Sequence, residues 1–227
     1  VQDSPPNPYT RESLTADRLT TWRDMISLMA KIIDVPVGLV MRVDGPRIEV
    51  FLASETEGNP YQEEHGEAYQ ESGLYCEWVV QNEETLVVPN AHKHPDWDPN
   101  PDLKLGLPSY MGLPLRRPDG LVFGTLCVLD SKENAYSESD RALMERFRDL
   151  IEKDMALISA FERIRLQEAD LGLLKRVVPM CMYCKSVRTH EGSWKEVEAV
   201  LKGYSGKPAS HGVCPGCEPR LEADLLS

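Results

Sequence analysis

Four cysteines near the C-terminus, Cys181, Cys184, Cys214 and Cys217, fall in two Cys-x-x-Cys pairs. Each pair can offer two sulfurs to one ion from a tight turn, and two such pairs complete a tetrahedral thiolate shell. Zn2+ suits that shell because it is redox-inert and has no ligand-field preference. The same four thiolates also suit an iron–sulfur cluster. A dithiol redox switch and a pair of unligated turns stay open beside these. Zinc closed by four thiolates leaves no coordination position for water, so such a site reads as structural rather than catalytic. His211, in Ser210-His211-Gly212 just before the second pair, is an alternative ligand or a hydrogen-bond partner for a thiolate, with His190 a more remote one.

The other two cysteines, Cys76 and Cys127, stand alone in sequence. Free cysteine is among the most buried residue types, so Cys76 reads as a small core residue on a helix and Cys127 as core in an apolar strand. Structural disulfides fit poorly, because the chain shows no secretory feature. Its first residues lack both the basic start and the apolar run of a signal peptide, and no window is apolar enough to span a bilayer. A cytoplasmic location with no membrane partner is the expectation. The chain opens on Val1 rather than Met, which leaves room for upstream sequence. A formal charge of -12 repels phosphate backbones and anionic lipid, which argues against nucleic acid as a partner.

Several elements must position these residues. Residues 1–14 are Pro- and Ser-rich and read as a flexible lead-in. Leu19, Trp22, Met25, Ile26, Met29, Ile32 and Ile33 recur at the spacing of one buried helical face, which Asp34 and Pro36 end. VGLVMRV and RIEVFLAS, on either side of Asp44-Gly45-Pro46, predict a hairpin. Residues 55–72 read as an exposed loop with some short helix, Leu74 to Val80 as helix, and TLVVPN as a buried strand. The Pro-, Asp- and Asn-crowded segment NAHKHPDWDPNPDLKLGLPS suits a long loop near a site. YMGLPLRR and LVFGTLCVLD flank a turn at Pro118-Asp119-Gly120 and predict a second hairpin. Ser137 or Ser139 then caps a long helix.

In that helix Leu143, Phe147, Leu150, Leu157, Phe161, Ile164 and Leu171 step by four and three, with Asp154 and Glu168 interrupting at the same phase. The stripe predicts packing on the sheet over 140–155 and a coiled-coil seam over 156–174, hence a homodimer. The C-terminal unit is too short to rely on a hydrophobic core alone. Between its cysteine pairs, 192–203 (GSWKEVEAVLKG) reads as a short amphipathic helix ended by Gly203.

The words SGLYCEWVV, TLVVPNAHKHPDWDPNPDLKLGLPSYMGLPL and DGLVFGTLCVLD, in the order of elements just given, resemble a GAF domain of bacterial signalling proteins. The resemblance covers about residues 15–160. The tail, PMCMYCKSVR with EGSWKEVEAVL and SHGVCPGC, is similar to a small cysteine-rich module found after GAF, PAS or receiver domains. For the fold, the resemblance implies an antiparallel sheet of five or six strands, helices on one face and a pocket under loops on the other. Family members take cyclic nucleotides, tetrapyrroles, haem, iron–sulfur centres or small metabolites, and many only dimerise. Fold alone does not name the ligand.

Residue by residue, the family's variants fit unevenly. Bilin-binding members carry a pocket cysteine followed by His, whereas Glu77 follows Cys76 and Val128 follows Cys127. Cyclic-nucleotide members carry a pattern of which Tyr136 to Asp140 is a loose echo. Haem would need His92 or His94, both in a polar loop where histidine is more often solvated. Free methionine sulfoxide reductases need a thiolate nucleophile and a resolving cysteine. Cys76 falls near one of their cysteines, but the catalytic loop corresponds here to DLKLGLPSYMGLPL, which has none. Tyr75, Cys76, Trp78, Trp97 and Tyr110 are the residues placed around the pocket.

The reading is therefore an α+β chain: a lead-in (1–14), a GAF-like sensory domain (15–160), a helical connector able to form a coiled coil (161–178) and a four-cysteine metal module (179–227). It predicts a non-catalytic sensory or regulatory protein with an unknown small-molecule ligand, an unknown protein partner or output domain, and a structural zinc. A redox or metal sensor built on the four cysteines is the alternative.

Overall fold

The computed structural model describes residues 8–174, 178–188, 192–196 and 209–219. Two compact units divide the chain, residues 1–161 and 162–227.

In the first unit, α1 (Ala16–Ile33) begins at Thr15, whose hydroxyl accepts from the Arg18 N–H, and ends where Asp34 turns left-handed. Hairpin β1 (Val37–Asp44) and β2 (Arg47–Ala53) follows. Next come β3 (Gly66–Ala68), α2 (Tyr75–Asn82) and β4 (Leu86–Val88). Three short 3-10 turns lead into the second hairpin, β5 (Ser109–Arg116) and β6 (Val122–Asp130), and then the long α3 (Glu138–Leu174), whose residues from 162 on belong to the second unit. Ser137 caps α3: its hydroxyl accepts from the Asp140 N–H at 3.2 Å, while the Asp140 carboxylate accepts from the Ser137 N–H at 2.8 Å. The six strands form one antiparallel sheet in the order β3-β2-β1-β6-β5-β4. This is the expected α+β architecture.

Both faces of the sheet are covered, which gives two cores. On one face Val40, Leu52, Leu113 and Leu126 pack with Trp22, Ile26 and Met29 of α1 and with Met144, Ile151 and Met155 of α3. On the other, Leu39, Val50, Cys127 and Leu129 pack with Tyr75, Cys76 and Val79 of α2 and with the 3-10 segment. Side chains alternate across β6, so Leu126 and Val128 serve the first core while Cys127 and Leu129 serve the second.

Four expectations change. Residues 8–14 are not a loose lead-in, because Tyr9 and Leu14 are buried in the first core and Arg11 bonds both the Phe51 carbonyl and Glu63. Residues 1–7 lie outside the described residues. The loop at 55–72 contains strand β3 and no helix. On α1, Ile32 is exposed rather than part of the buried face. On α3, the stripe that meets the sheet is Met144, Ile151, Met155 and Ile158; Leu150, Leu157, Phe161 and Ile164 are each at least 50% exposed. Leu143 and Phe147 sit half-buried at the edge of the first core, and the Leu171 side chain lies outside the described residues. Asp154, in phase with that exposed stripe, accepts from Trp22 Nε1 at 2.8 Å and from the Arg18 guanidinium, so it ties α3 to α1.

Within the second unit β7 (Val178–Cys181), β8 (Val187–Arg188), β9 (Trp194–Lys195) and β10 (Ala209–Gly212) form a sheet in the order β10-β7-β8-β9. Residues 192–196 are a bend and strand β9, not the start of the helix expected over 192–203; residues 197–203 lie outside the described residues.

At Gly124 of β6 an added Cβ would fall 1.8 Å from the Met41 carbonyl oxygen of β1. Gly124→Ala must push apart the two central strands. It should cost about 3 kcal/mol or more, at the upper end of overpacking effects, when unfolding is followed in urea. Unchanged stability would show that the strands separate freely there.

Candidate metal centre and ligand pocket

The second unit brings the four predicted cysteines together. β10 runs parallel to β7 with Gly212 opposite Cys181, which carries the second Cys-x-x-Cys turn to the first. The first turn is closed by the Lys185 N–H to the Cys181 carbonyl (3.0 Å), with Lys185 left-handed at φ 59°. In the second, the Cys217 N–H donates to the Cys214 carbonyl at 2.9 Å. All four sulfurs lie within 4.8 Å of one another, and Cys184 and Cys214 are 3.5 Å apart. Zn–S bonds near 2.3 Å give a tetrahedron with edges of about 3.8 Å, so this spacing fits one ion. None of the four is in a disulfide.

The surroundings favour thiolate at the first pair, Cys181 and Cys184, whereas burial and the neighbouring thiols push Cys214 and Cys217 up. Burial pushes the Cys181 thiol up, but the N–H groups of Cys184, Cys214 and Tyr183 outweigh it and hold it at about 6. The Cys214 N–H lies 3.3 Å from Cys181 Sγ, and Ser186 Oγ lies 3.2 Å from Cys184 Sγ. Tyr183, Trp194 and Val213 pack against the three buried cysteines, while Cys184 is exposed. The His211 backbone lies in β10, but its side chain and all of His190 lie outside the described residues.

In the first unit a cavity of about 300 Å3 lies in the second core. Its walls are Leu39, Met41, Ile48, Val50, Leu74 and Leu129, and its polar groups come from Tyr61, Asp102, Tyr110, Cys76 and Cys127. His65 and Glu67, also lining it, are exposed, so the cavity reaches solvent beside β3. That volume is at the small end for a ligand site.

Of the five residues predicted around the pocket, Cys76 and Tyr110 line it. Tyr75 stacks on Tyr110 with ring centroids 4.7 Å apart and leans on Trp97 at 5.2 Å. Trp78 and Trp97 are partly buried against the same core and are not in the cavity wall. Gly112 makes room for Tyr110, since a Cβ there would meet the tyrosine oxygen at 1.9 Å. His92 and His94 are exposed and do not line the cavity.

Sequence reasoning missed Tyr61, Asp102 and the position of Cys127. Asn100 places Asp102: its side chain accepts from the Asp102 N–H at 2.8 Å and donates to the Gly73 carbonyl at 2.8 Å. Tyr61 is set by Asn59, which accepts from the Tyr61 N–H at 3.0 Å, and its hydroxyl donates to the Asp102 carboxylate at 2.7 Å. Burial pushes Asp102 up to about 6 despite the hydrogen bond from Tyr61. Among the described residues the buried Tyr75 hydroxyl has no hydrogen-bond partner.

Cys76 Sγ is 3.9 Å from Cys127 Sγ, 3.3 Å from Thr125 Oγ1 and 3.4 Å from Tyr110 Oη. The Cys127 thiol first, then Thr125 and Tyr110, hold Cys76 below the usual thiol range against the opposing effect of burial. The same pairing, with burial, pushes Cys127 up. Both cysteines are buried in the second core as expected, Cys76 on α2 and Cys127 in β6, and both also line the cavity.

A family model described as GAF domain matches residues 15–152. Solved structures share the fold at low identity. The blue-light absorbing form of the Thermosynechococcus elongatus PixJ GAF domain is 14% identical, covering 69% of this chain and 93% of its own, with a TM-score of 0.53. Free methionine-R-sulfoxide reductase from Neisseria meningitidis, in complex with its substrate, is 14% identical, covering 63% and 80%, with a TM-score of 0.52. A fragment of a methyl-accepting chemotaxis protein is 12% identical, covering 64% and 96%, with a TM-score of 0.53. No curated protein matches the chain.

Because Asp102 binds its proton more tightly folded than unfolded, stability is fully present below about pH 4 and falls as pH rises to about 6. The shift corresponds to roughly 3 kcal/mol. Asp102→Asn keeps an acceptor for Tyr61 without the charge. Its unfolding free energy relative to wild type should therefore rise by about that amount between pH 4 and 7 in urea titrations. A flat difference would place the carboxylate in contact with water.

Proposed function

The chain belongs to the GAF domain family, and from that premise we propose that it is a non-catalytic sensory or regulatory protein whose first unit binds a small molecule. The observation that carries this reading is the cavity: apolar walls, one buried carboxylate with its phenol partner, and an opening beside β3. An uncompensated carboxylate in such a place is costly, and a cationic or hydrogen-bond-donating group on a mostly apolar ligand would offset the cost. The orphaned Tyr75 hydroxyl adds a second unmet polar demand in the same core. A thiolate nucleophile of the methionine sulfoxide reductase kind is not favoured, since the Asp102 to Leu115 segment carries no cysteine.

The four-cysteine cluster is proposed to hold one structural Zn2+ through Cys181, Cys184, Cys214 and Cys217. Sulfurs within 4.8 Å of one another suit a single ion, whereas a cluster of several irons holds its cysteines farther apart. Such an ion would supply cross-linking to a small unit, with every ligand position taken by protein. Native mass spectrometry of gently purified protein should find one zinc per chain and a retained small molecule that Asp102→Asn fails to retain. An iron–sulfur mass would overturn the zinc reading. Retention of the same molecule by Asp102→Asn would overturn the role of the carboxylate.

A homodimer is proposed through the exposed stripe Leu150, Leu157, Phe161 and Ile164 of α3, whose regular spacing along one helix is that of a coiled-coil seam. No helix among the described residues is long and apolar enough to cross a membrane. Phe161→Glu should convert the dimer to monomer by light scattering while leaving the thermal unfolding of the first unit nearly unchanged. A dimer surviving both Phe161→Glu and Leu157→Glu would place the interface elsewhere.

A further inference from the structure

In the first unit two buried thiols from different elements face each other at the wall of the cavity. We propose that Cys76 and Cys127 form a reversible dithiol–disulfide site that reacts with small uncharged hydroperoxides admitted by the cavity, with Cys76 as the attacking sulfur and Cys127 as the resolving one.

Geometry assigns the roles. The two sulfurs face each other at 3.9 Å from different elements, α2 and β6. The gap has only to close by about 2 Å to reach a disulfide bond length. Around Cys76 Sγ, Thr125 Oγ1 donates at 3.3 Å, and Tyr110 Oη at 3.4 Å and the Cys127 thiol are groups able to donate, an environment that can stabilise a thiolate. Cys127 Sγ has Cys76 and a more distant Thr125 at 3.9 Å, so it keeps its proton until it is needed. Both sulfurs line the cavity, which reaches solvent at His65 and Glu67.

The cavity also selects the oxidant. At about 300 Å3 it is too small for a bulky peptide thiol, and Asp102 buried in its wall disfavours anions. A small neutral hydroperoxide meets neither barrier. In the first step the Cys76 thiolate attacks the terminal oxygen of ROOH, the O–O bond breaks, and the alkoxide leaves as ROH after taking a proton. Cys76 is then a sulfenic acid. In the second step the Cys127 sulfur attacks the Cys76 sulfur, the S–O bond breaks, and water leaves with the Cys127 proton. Two thiols and ROOH become one disulfide, ROH and water. An external dithiol returns both sulfurs to thiols by exchange. The product would bond α2 covalently to the sheet.

None of this needs a resident ligand, so its failure would leave the ligand reading intact. The test uses the full chain with its metal bound, reduced and then exposed to equimolar hydrogen peroxide. Trypsin leaves Cys76 on peptide 48–93 and Cys127 on peptide 117–132, so their linkage is a distinct species in non-reducing mass spectrometry. The expected result is a 48–93/117–132 disulfide that forms within the folded protein and disappears with dithiothreitol. In Cys127→Ser, dimedone should label Cys76. Thr125→Val, which removes the hydroxyl that donates to Cys76 Sγ, should slow labelling. Recovery of both peptides as free thiols from peroxide-treated wild type, a readout that requires no variant, would overturn the proposal. Dimedone on Cys127 in preference to Cys76 would overturn the assignment of roles.

Discussion

The first unit depends on one constraint, that its two central strands are apolar on both faces. Val37, Leu39, Val40 and Met41 of β1 are all buried, and so is β6 from Phe123 to Asp130. A sheet of that kind cannot face water on either side, so it must be covered twice. On one side two long helices do this, and their buried side chains interlock with the sheet. On the other the cover is a helix of eight residues, Tyr75–Asn82, and a run of loop and 3-10 turns. So thin a layer brings backbone polar groups and short side chains down to the sheet, and it leaves space unfilled. The cavity is a consequence of how the second face is closed.

That origin explains why the cavity is chemically mixed. Loop segments satisfy their backbone with Asn and Asp side chains, and Asn59 and Asn100 do so here, fixing Tyr61 and Asp102 on the cavity wall. The carboxylate is buried because the turn that carries it is, not because a counter-charge receives it. Burying a charge in this way raises its proton affinity, and a neutral Asp102 is the cheapest state of the free protein near and below pH 6. The C-terminal unit meets the opposite difficulty. Among its described residues the core holds little beyond Cys181, Cys214, Cys217 and the residues packed on them, and the proposed metal would add the cross-link that so small a core lacks.

Much of the fold was legible because it rests on periodicity and turn chemistry. The α1 face, both hairpins and the cap at Ser137 follow from spacing and from Asp-Gly or Ser signals. The Cys-x-x-Cys pairs were legible for the same reason, as ligand type and spacing carry the chemistry locally. The pocket was not. In a strand apolar on both faces, the two-residue period says that Thr125, Cys127 and Leu129 share a side but not which side. Cys127 therefore read as packing, and its neighbour Cys76, far away in sequence, could not be paired with it. Asp102 was hidden among four other aspartates and asparagines of the same loop, and only the tertiary path selects it. The stripe read along α3 was expected to pack on the sheet over 140–155, but from Leu150 on it is turned away from the sheet.

The last point bears on how a pocket event is felt elsewhere in the first unit. Along β6, Cys127 contacts the pocket side, while Leu126 and Val128 on either side of it contact the core shared with α3. Gly124, a few residues away, locks β6 against the Met41 carbonyl with no room to spare. Close-packed interiors transmit such displacements rather than absorb them. A shift of β6 at Cys127 thus reaches Met144, Ile151 and Met155 through residues adjacent in the chain. On the far side of the same helix lie Leu150 and Leu157, so one strand and one helix connect the buried thiols to the exposed stripe. Asp154 holds that helix to α1 through Trp22 and Arg18, so the two helices that cover this face are tied to each other as well as packed on the sheet.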